Sequence, residues 1–470
     1  MNAAIDIGAM EQVADPLADD TVAAWMGNWT AGEPAEQAQA RDARIQTASR
    51  LMAGWTHNGA LTNWTPAEAD ADPMVVSALQ AYLQTAAALP DWVDAAQVAR
   101  AEAIFMEHGP LSCTLLFCAS LPECYVLPDL AEVLHIAGQL EAHTEHRIRQ
   151  TAAMVFPVMM RGGLLSAQGT GVAQVLKVRL IHATIRHLIL RGNPAAARGQ
   201  VPPVPGRAPP TSMNEALSAH GWNVDALGLP CNQNELAYTL LTFSYVFLRG
   251  MRQLRQGLSR EDEEAYLHLW NVMGHVLGIQ RELMAQTMEQ AQMLFERMQQ
   301  HARLAASTSR TPGVPDARAG LGRALMNTMA RAIRVPVIRQ IPVPLTQWLI
   351  GEPTASAIGV DEQVSWLSRA VFRLGLGLTR LVDAVVRLVA PRFSLSRMFT
   401  RVIGYHLLTR FLLDQTRPLK LPDRVLHPLQ QTVADWSDDP NAHGWVNRLE
   451  DRLTTQGRWH TKPDPQRQAG

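Results

Sequence analysis

Apolar residues recur in this chain at three- and four-residue intervals from one end to the other. The strict alternation of β-branched residues that a half-buried strand requires is nearly absent. A polypeptide patterned that way hides its apolar side by packing helix on helix, so the expected fold class is all-α. Its 470 residues predict two to four packing units. Forty-two Lys and Arg against forty-three Asp and Glu give a formal charge of −1, so nothing draws the whole chain toward a polyanion, and no nucleic-acid partner is expected.

The four cysteines, Cys113, Cys118, Cys124 and Cys231, form no C-x-x-C pair and read as reduced, buried thiols. No C-x-x-C-H is present, so any haem would be held without thioether bonds. Residues 1–20 carry five acids, no bases and no apolar run of signal-peptide length. A cytoplasmic protein is expected from the chain as it stands, or a secreted one if a leader has been removed. The longest uncharged apolar stretch of the first half, Leu111 to Leu121, is about half of the ~20 residues a bilayer span needs.

Breakers divide the chain into a covering arm (1–100), a helical core (101–306), Arg-rich helices completing the fold (307–420) and a polar tail (421–470). In the core, one helix is expected through Leu111–Leu121. A second opens at Pro128-Asp129, and a third runs from about Gly171 to Arg191 and is stopped by Gly192. The stretch 193–210 reads as loop. Asn232 and Glu235, three apart, form a capping-box pattern opening a block that continues, with a turn near 257–259, to about Ala306. Between Arg310 and Lys420 sixteen bases face six acids, a local charge of +10. Arg373, Arg380 and Arg387 repeat there every seven residues, which fits either a solvated face or a helix lying on a membrane surface.

Chemistry concentrates in 172–190. Val175, Val178, His182, Ile185 and Ile189 share one helical stripe, with Arg179 and Arg186 along its edge. An imidazole in an apolar layer with two marginal guanidinium groups suits a b-type haem: the ring nitrogen ligates iron and the cations pair with propionates. A core histidine bonded to a backbone carbonyl fits the same pattern. Arg147 and Thr151, four apart, turn a cation and a hydroxyl toward one apolar space that suits a small ligand such as dioxygen; a surface Arg with a back-bonded Thr fits equally. Glu132-x-x-His135 occurs once, whereas a di-iron carboxylate bundle needs two copies. His143-x-x-His146 lacks further ligands close in sequence for zinc.

Arg147 with Thr151, then 177–186 (KVRLIHATIR), then 229–244 (LPCNQNELAYTLLTFS) and 266–279 (YLHLWNVMGHVLGI) together resemble the family of latex clearing proteins and MpaB-type oxygenases. The likeness keeps its order over about 105–420. It implies a globin-like helical core with additional N- and C-terminal helices, one non-covalent haem b, and cleavage of isoprenoid C=C bonds by dioxygen, with cis-1,4-polyisoprene as the expected substrate. By the same resemblance His182 matches the iron ligand, Arg147 and Thr151 the distal pair, and Glu132 the acid/base glutamate. Glu132 would be desolvated among apolar side chains, and the substrate channel would be lined by Met154, Phe156 and Met159. Some members place a Lys before the distal Thr that can cap the iron. Gln150 stands there in this chain, which implies an open distal side. Two other readings remain: an oxygenase for a prenyl chain on a small molecule or lipid, and a non-enzymatic helical module that contacts a membrane surface or a partner. A monomer is expected.

Overall fold

The computed structural model describes the chain except residues 1–4, 28, 30–32, 69, 138–143, 205–211, 309–315, 334–338, 340, 364–365, 387–394, 411–443 and 455–470. Helices account for nearly all of its regular structure, so the fold is all-α. A two-residue antiparallel ribbon, Gln200–Val201 with Trp222–Asn223, is the strand pairing among the described residues.

The arm begins with α1 (Ile7–Glu11) and α2 (Pro16–Met26), followed by α3 (Ala35–Ala53) and α4 (Pro73–Ala86). Asp15 and Asp72 each precede a proline and accept a hydrogen bond from a first-turn amide, which fixes where α2 and α4 start. Trp25 and Trp55, scattered in sequence, are both sealed in the interior.

Next come α5 (Ala95–His108) and α6 (Pro110–Leu115). The helix expected through Leu111–Leu121 is present: the chain is helical from Pro110 to Glu123, with α6 widening into a π-helical turn, Leu116–Ser120, before Leu121–Glu123. No single helix among the described residues is long and apolar enough to cross a membrane. The pair Ala95–His108 and Pro110–Glu123 has the composition but bends by 90°.

The core continues with α7 (Pro128–Ala137), α8 (Thr144–Met159) and α9 (Gly171–Leu190), then α10 (Met213–His220). It is completed by α11 (Gln233–Phe243), α12 (Tyr245–Gln253), α13 (Arg260–Val276) and α14 (Met288–Thr308). The stop after α9 is Arg191, not Gly192: Arg191 itself takes the left-handed conformation (φ 55°), and its guanidinium anchors it to the carbonyls of Ser218 and Pro202. The 193–210 stretch, expected to be loop, holds a 3-10 turn at Pro194–Ala196 and one strand of the ribbon.

The last described elements are α15 (Ala317–Ala332), α16 (Pro342–Ile350), α17 (Trp366–Val386), α18 (Leu395–Leu408) and α19 (Gly444–Thr454). α18 crosses α6 so closely that any side chain at Gly404 would collide with the Pro110 carbonyl. The central element is α9, which packs against α2, α8, α10 and α13. The four cysteines are free and buried, as the sequence led us to expect.

Candidate functional site

α9 is buried on most of its circumference, but one stripe is not. Val178, His182 and Ile185 are partly exposed and Ile181 is 44% exposed, while Val175, Leu176, Leu180, Ala183 and Ile189 are sealed. An exposed isoleucine in the middle of a helix packed by four others shows that this stripe is left partly open, and His182 lies on it.

The two histidines of α9 divide between the two readings open at the sequence level. His187 is the core histidine bonded to a backbone carbonyl, its Nε2 2.7 Å from the oxygen of Gly27, with its Nδ1 buried and unpartnered. His182 Nδ1 is buried and has no hydrogen-bond partner. Burial, helped by the charge of Arg186, pushes the His182 ring down to about 4, so it is neutral at physiological pH, the form that ligates a metal. Among the described residues no three His, Cys, Asp or Glu side chains gather to hold a bare ion, and His135, from the single Glu-x-x-His, is exposed. His143 lies outside the described residues. A neutral imidazole on a partly open apolar stripe would hold the iron of a metalloporphyrin through one ring nitrogen, a group that needs no cluster of further protein ligands.

The two arginines expected to pair with propionates are otherwise engaged. Arg179 grips Asp15 with Nε at 2.6 Å and Nη2 at 2.8 Å, and donates to the Val276 carbonyl. Arg186 holds Asp19 through Nε at 2.8 Å and the Cys231 carbonyl through Nη1 at 2.6 Å. Both are buried, and in the absence of water each takes the nearest carboxylate, which the arm supplies. Gly278 (φ 91°) closes over the Asp15–Arg179 pair, where a Cβ would press on both partners. Arg179 and Arg186 therefore tie α2 to α9 and are not groups waiting for a ligand.

On α8, Arg147, Thr151 and Met154 are the half-open face, and Ile148, Ala152 and Val155 are buried. Arg147 donates to the Leu134 carbonyl on α7 at 3.2 Å and to the Tyr125 hydroxyl at 3.1 Å. Thr151 Oγ donates to the carbonyl of Arg147 at 3.0 Å, the back-bonded geometry. Tyr125 is buried, and its phenol is pushed up by that burial, so it stays protonated. Phe156 and Met159 are sealed in the core, so of the three residues expected to line a channel only Met154 retains open surface. Gln150 is exposed.

Glu132, on α7, is 27% exposed and its Oε1 lies 3.0 Å from His220 Nε2 at the end of α10. It is not enclosed by apolar side chains, as the sequence reading had it. Its ionic partner among the described residues is His220 rather than Arg147. Sequence reasoning missed His220 and Tyr125 because contacts over 88 and 22 residues leave no local pattern.

Deeper, Asn232 caps α11 by accepting from the Glu235 amide at 2.9 Å, as the capping-box spacing indicated. The Glu235 side chain, however, meets Asp129 at the start of α7, with Asn232 Nδ2 3.2 Å from both carboxyl groups. Burial first, then the neighbouring carboxyl, raises Glu235 well above the usual carboxylate range, and burial raises Asp129 too. Both carboxyl groups are therefore harder to ionise than ordinary ones.

A family described as "ER-bound oxygenase mpaB/B'/Rubber oxygenase, catalytic domain" matches residues 124–387, a span that contains Glu132, Arg147, Thr151 and His182. The chain belongs to this oxygenase family. It is 23% identical over 248 residues to a rubber oxygenase of Streptomyces sp. (strain K30), and it spans about half the length of that curated relative: 53% of this chain aligns with 52% of the other. A solved structure of a latex clearing protein in the closed state superposes with a TM-score of 0.56, covering 93% of this chain and 92% of that one at 17% identity, and so shares the fold.

Proposed function

We propose that this oxygenase binds one haem b through His182 and uses dioxygen to cleave the C=C bonds of a polyisoprenoid, with cis-1,4-polyisoprene as substrate. The observation that carries the reading is a neutral imidazole whose buried Nδ1 has no partner, on a partly open apolar stripe of α9, in a chain of an oxygenase family. Haem, when bound, supplies an iron centre that activates dioxygen. The overall change adds both oxygen atoms across one double bond, leaving a ketone on one fragment and an aldehyde on the other.

The chain's own residues do the rest. Val178, Ile181 and Ile185 offer an apolar bed that excludes water from the ring of His182. Arg147, held by Tyr125 and the α7 carbonyl, brings a fixed positive charge to the half-open face of α8, where it stabilises negative charge developing on oxygen. Glu132 takes an allylic proton and returns it, and His220, 3.0 Å away, provides a group to which that proton passes.

The first measurement is the absorption spectrum of the purified protein. A haem band is expected, lost in His182→Ala and kept in Glu132→Ala. With rubber latex as substrate, Glu132→Ala lowers turnover by at least ~100-fold. A colourless protein that takes up no haem would overturn the cofactor; full activity in Glu132→Ala would overturn the base. Gln150 brings no amine near the distal side, so a resting spectrum with two nitrogen ligands on iron is the result not expected.

A further inference from the structure

α17 is mounted with its greasy side outward. Phe372 packs against the core, Asp383 is buried and Thr379 is half-buried, which fixes the inward face of the helix at positions seven and four apart. The opposite face carries Trp366 at 79% exposure, Leu374 at 73%, and Leu378 and Leu381 at 62% each. Leu374, Leu378 and Leu381 follow one another at four and three residues, so they make one stripe, and Trp366 stands about two turns before it, roughly 80° round the helix from Leu374. A Cβ added at Gly375 or Gly377 would meet nothing within 4 Å, so among the described residues nothing packs closely at these two positions. Single exposed leucines are ordinary; four large apolar residues exposed along one helix are not.

We propose that this face of α17 docks on an anionic lipid surface. Three observations select that occupant. The stripe runs along the outside of one helix and is not a groove, so it fits a plane better than an inserted peptide. One edge of it is basic: Arg373 is exposed and paired, among the described residues, with the equally exposed Glu352, and half-buried Arg369 donates to the Asp361 carbonyl. In sequence, the segment 310–420 holds +10 while the rest of the chain holds −11, so this helix belongs to the basic stretch of the chain. Trp366 at one end has the side chain that favours the boundary between headgroups and acyl chains. This inference does not depend on the haem or on the substrate.

The test is co-sedimentation of the full chain with phosphatidylcholine vesicles, with and without phosphatidylserine, at low and moderate salt. Binding is expected to the anionic vesicles, weaker with added salt, and weaker by at least ~10-fold in the triple variant Leu374→Ser/Leu378→Ser/Leu381→Ser, whose helix content and melting stay those of the parent because all three side chains are exposed. Failure of the parent to bind anionic vesicles overturns the proposal. So does equal binding by the triple variant. A parent that runs as a dimer which the variant splits assigns the face to a second copy of the chain and overturns it as well.

Discussion

At the residue scale, the two histidines of α9 differ in what they touch: His187 Nε2 meets the Gly27 carbonyl, and no bond holds the buried Nδ1 of His182. His182 was legible because helical spacing alone puts it in an apolar stripe. Its distinction from His187 was not, since that depends on whether the Gly27 carbonyl is in reach. Likewise Asn232 and Glu235 announced a cap, yet the closeness of the Glu235 and Asp129 carboxyl groups arises only when the starts of α7 and α11 are brought together. That pair makes stability depend on pH in a known direction. Asp129 and Glu235 are raised in the fold, so their contribution is fully present below the ordinary carboxylate range and is lost as pH rises through their folded values. The charges around them are Asp19 with Arg186, which opposes the rise, and Glu11 with His301, raised in part by Asp129. In Glu235→Gln an amide donates to Asp129 without needing a proton. Urea midpoints measured between pH 5 and 8 should fall more steeply in the parent than in the variant, by up to about 1.4 kcal/mol per pH unit. Parallel curves would show that the pair is no harder to ionise than ordinary carboxyl groups.

At the element scale, local signals located helix starts well, because caps and N1 prolines act within four residues. They failed where a helix changes character without a breaker, as at Leu116–Ser120, and where a side chain ends the helix by reaching elsewhere, as Arg191 does. They also failed for the joint between α2 and α9. Asp15 and Asp19 lie 164 and 167 residues from the arginines they hold, so nothing in the neighbourhood of Arg179 or Arg186 reveals the partner. The cost of breaking that joint follows from its burial. In Asp19→Ala, Arg186 keeps its charge in a place without water or a countercharge, which should destabilise the protein by about 3–5 kcal/mol in chemical denaturation. Asp19→Ala/Arg186→Met removes both charges and should recover part of that loss. If the double variant is no better than the single, the damage comes from packing and not from an orphaned charge.

At the scale of the whole molecule, the all-α class and the family's extent along the chain were readable from pattern and motif order, whereas the partly open stripe of α9 was not. It is open because of what fails to cover it, and absence of cover has no sequence signature. Because α9 is packed by α2, α8, α10 and α13, anything bound to His182 is bound to the hub of the fold, and its binding energy should appear in the stability of the entire chain. A ligand that binds only the folded state stabilises it by about 2.7 kcal/mol when present at 100 times its Kd. Adding haem b to haem-free protein should therefore raise the midpoint of a single unfolding transition followed by helix content. The same titration on His182→Ala should leave the midpoint where it was. A rise of equal size in that variant would place the porphyrin away from α9, and a rise confined to one of two separate transitions would show that the arm and the core do not unfold together.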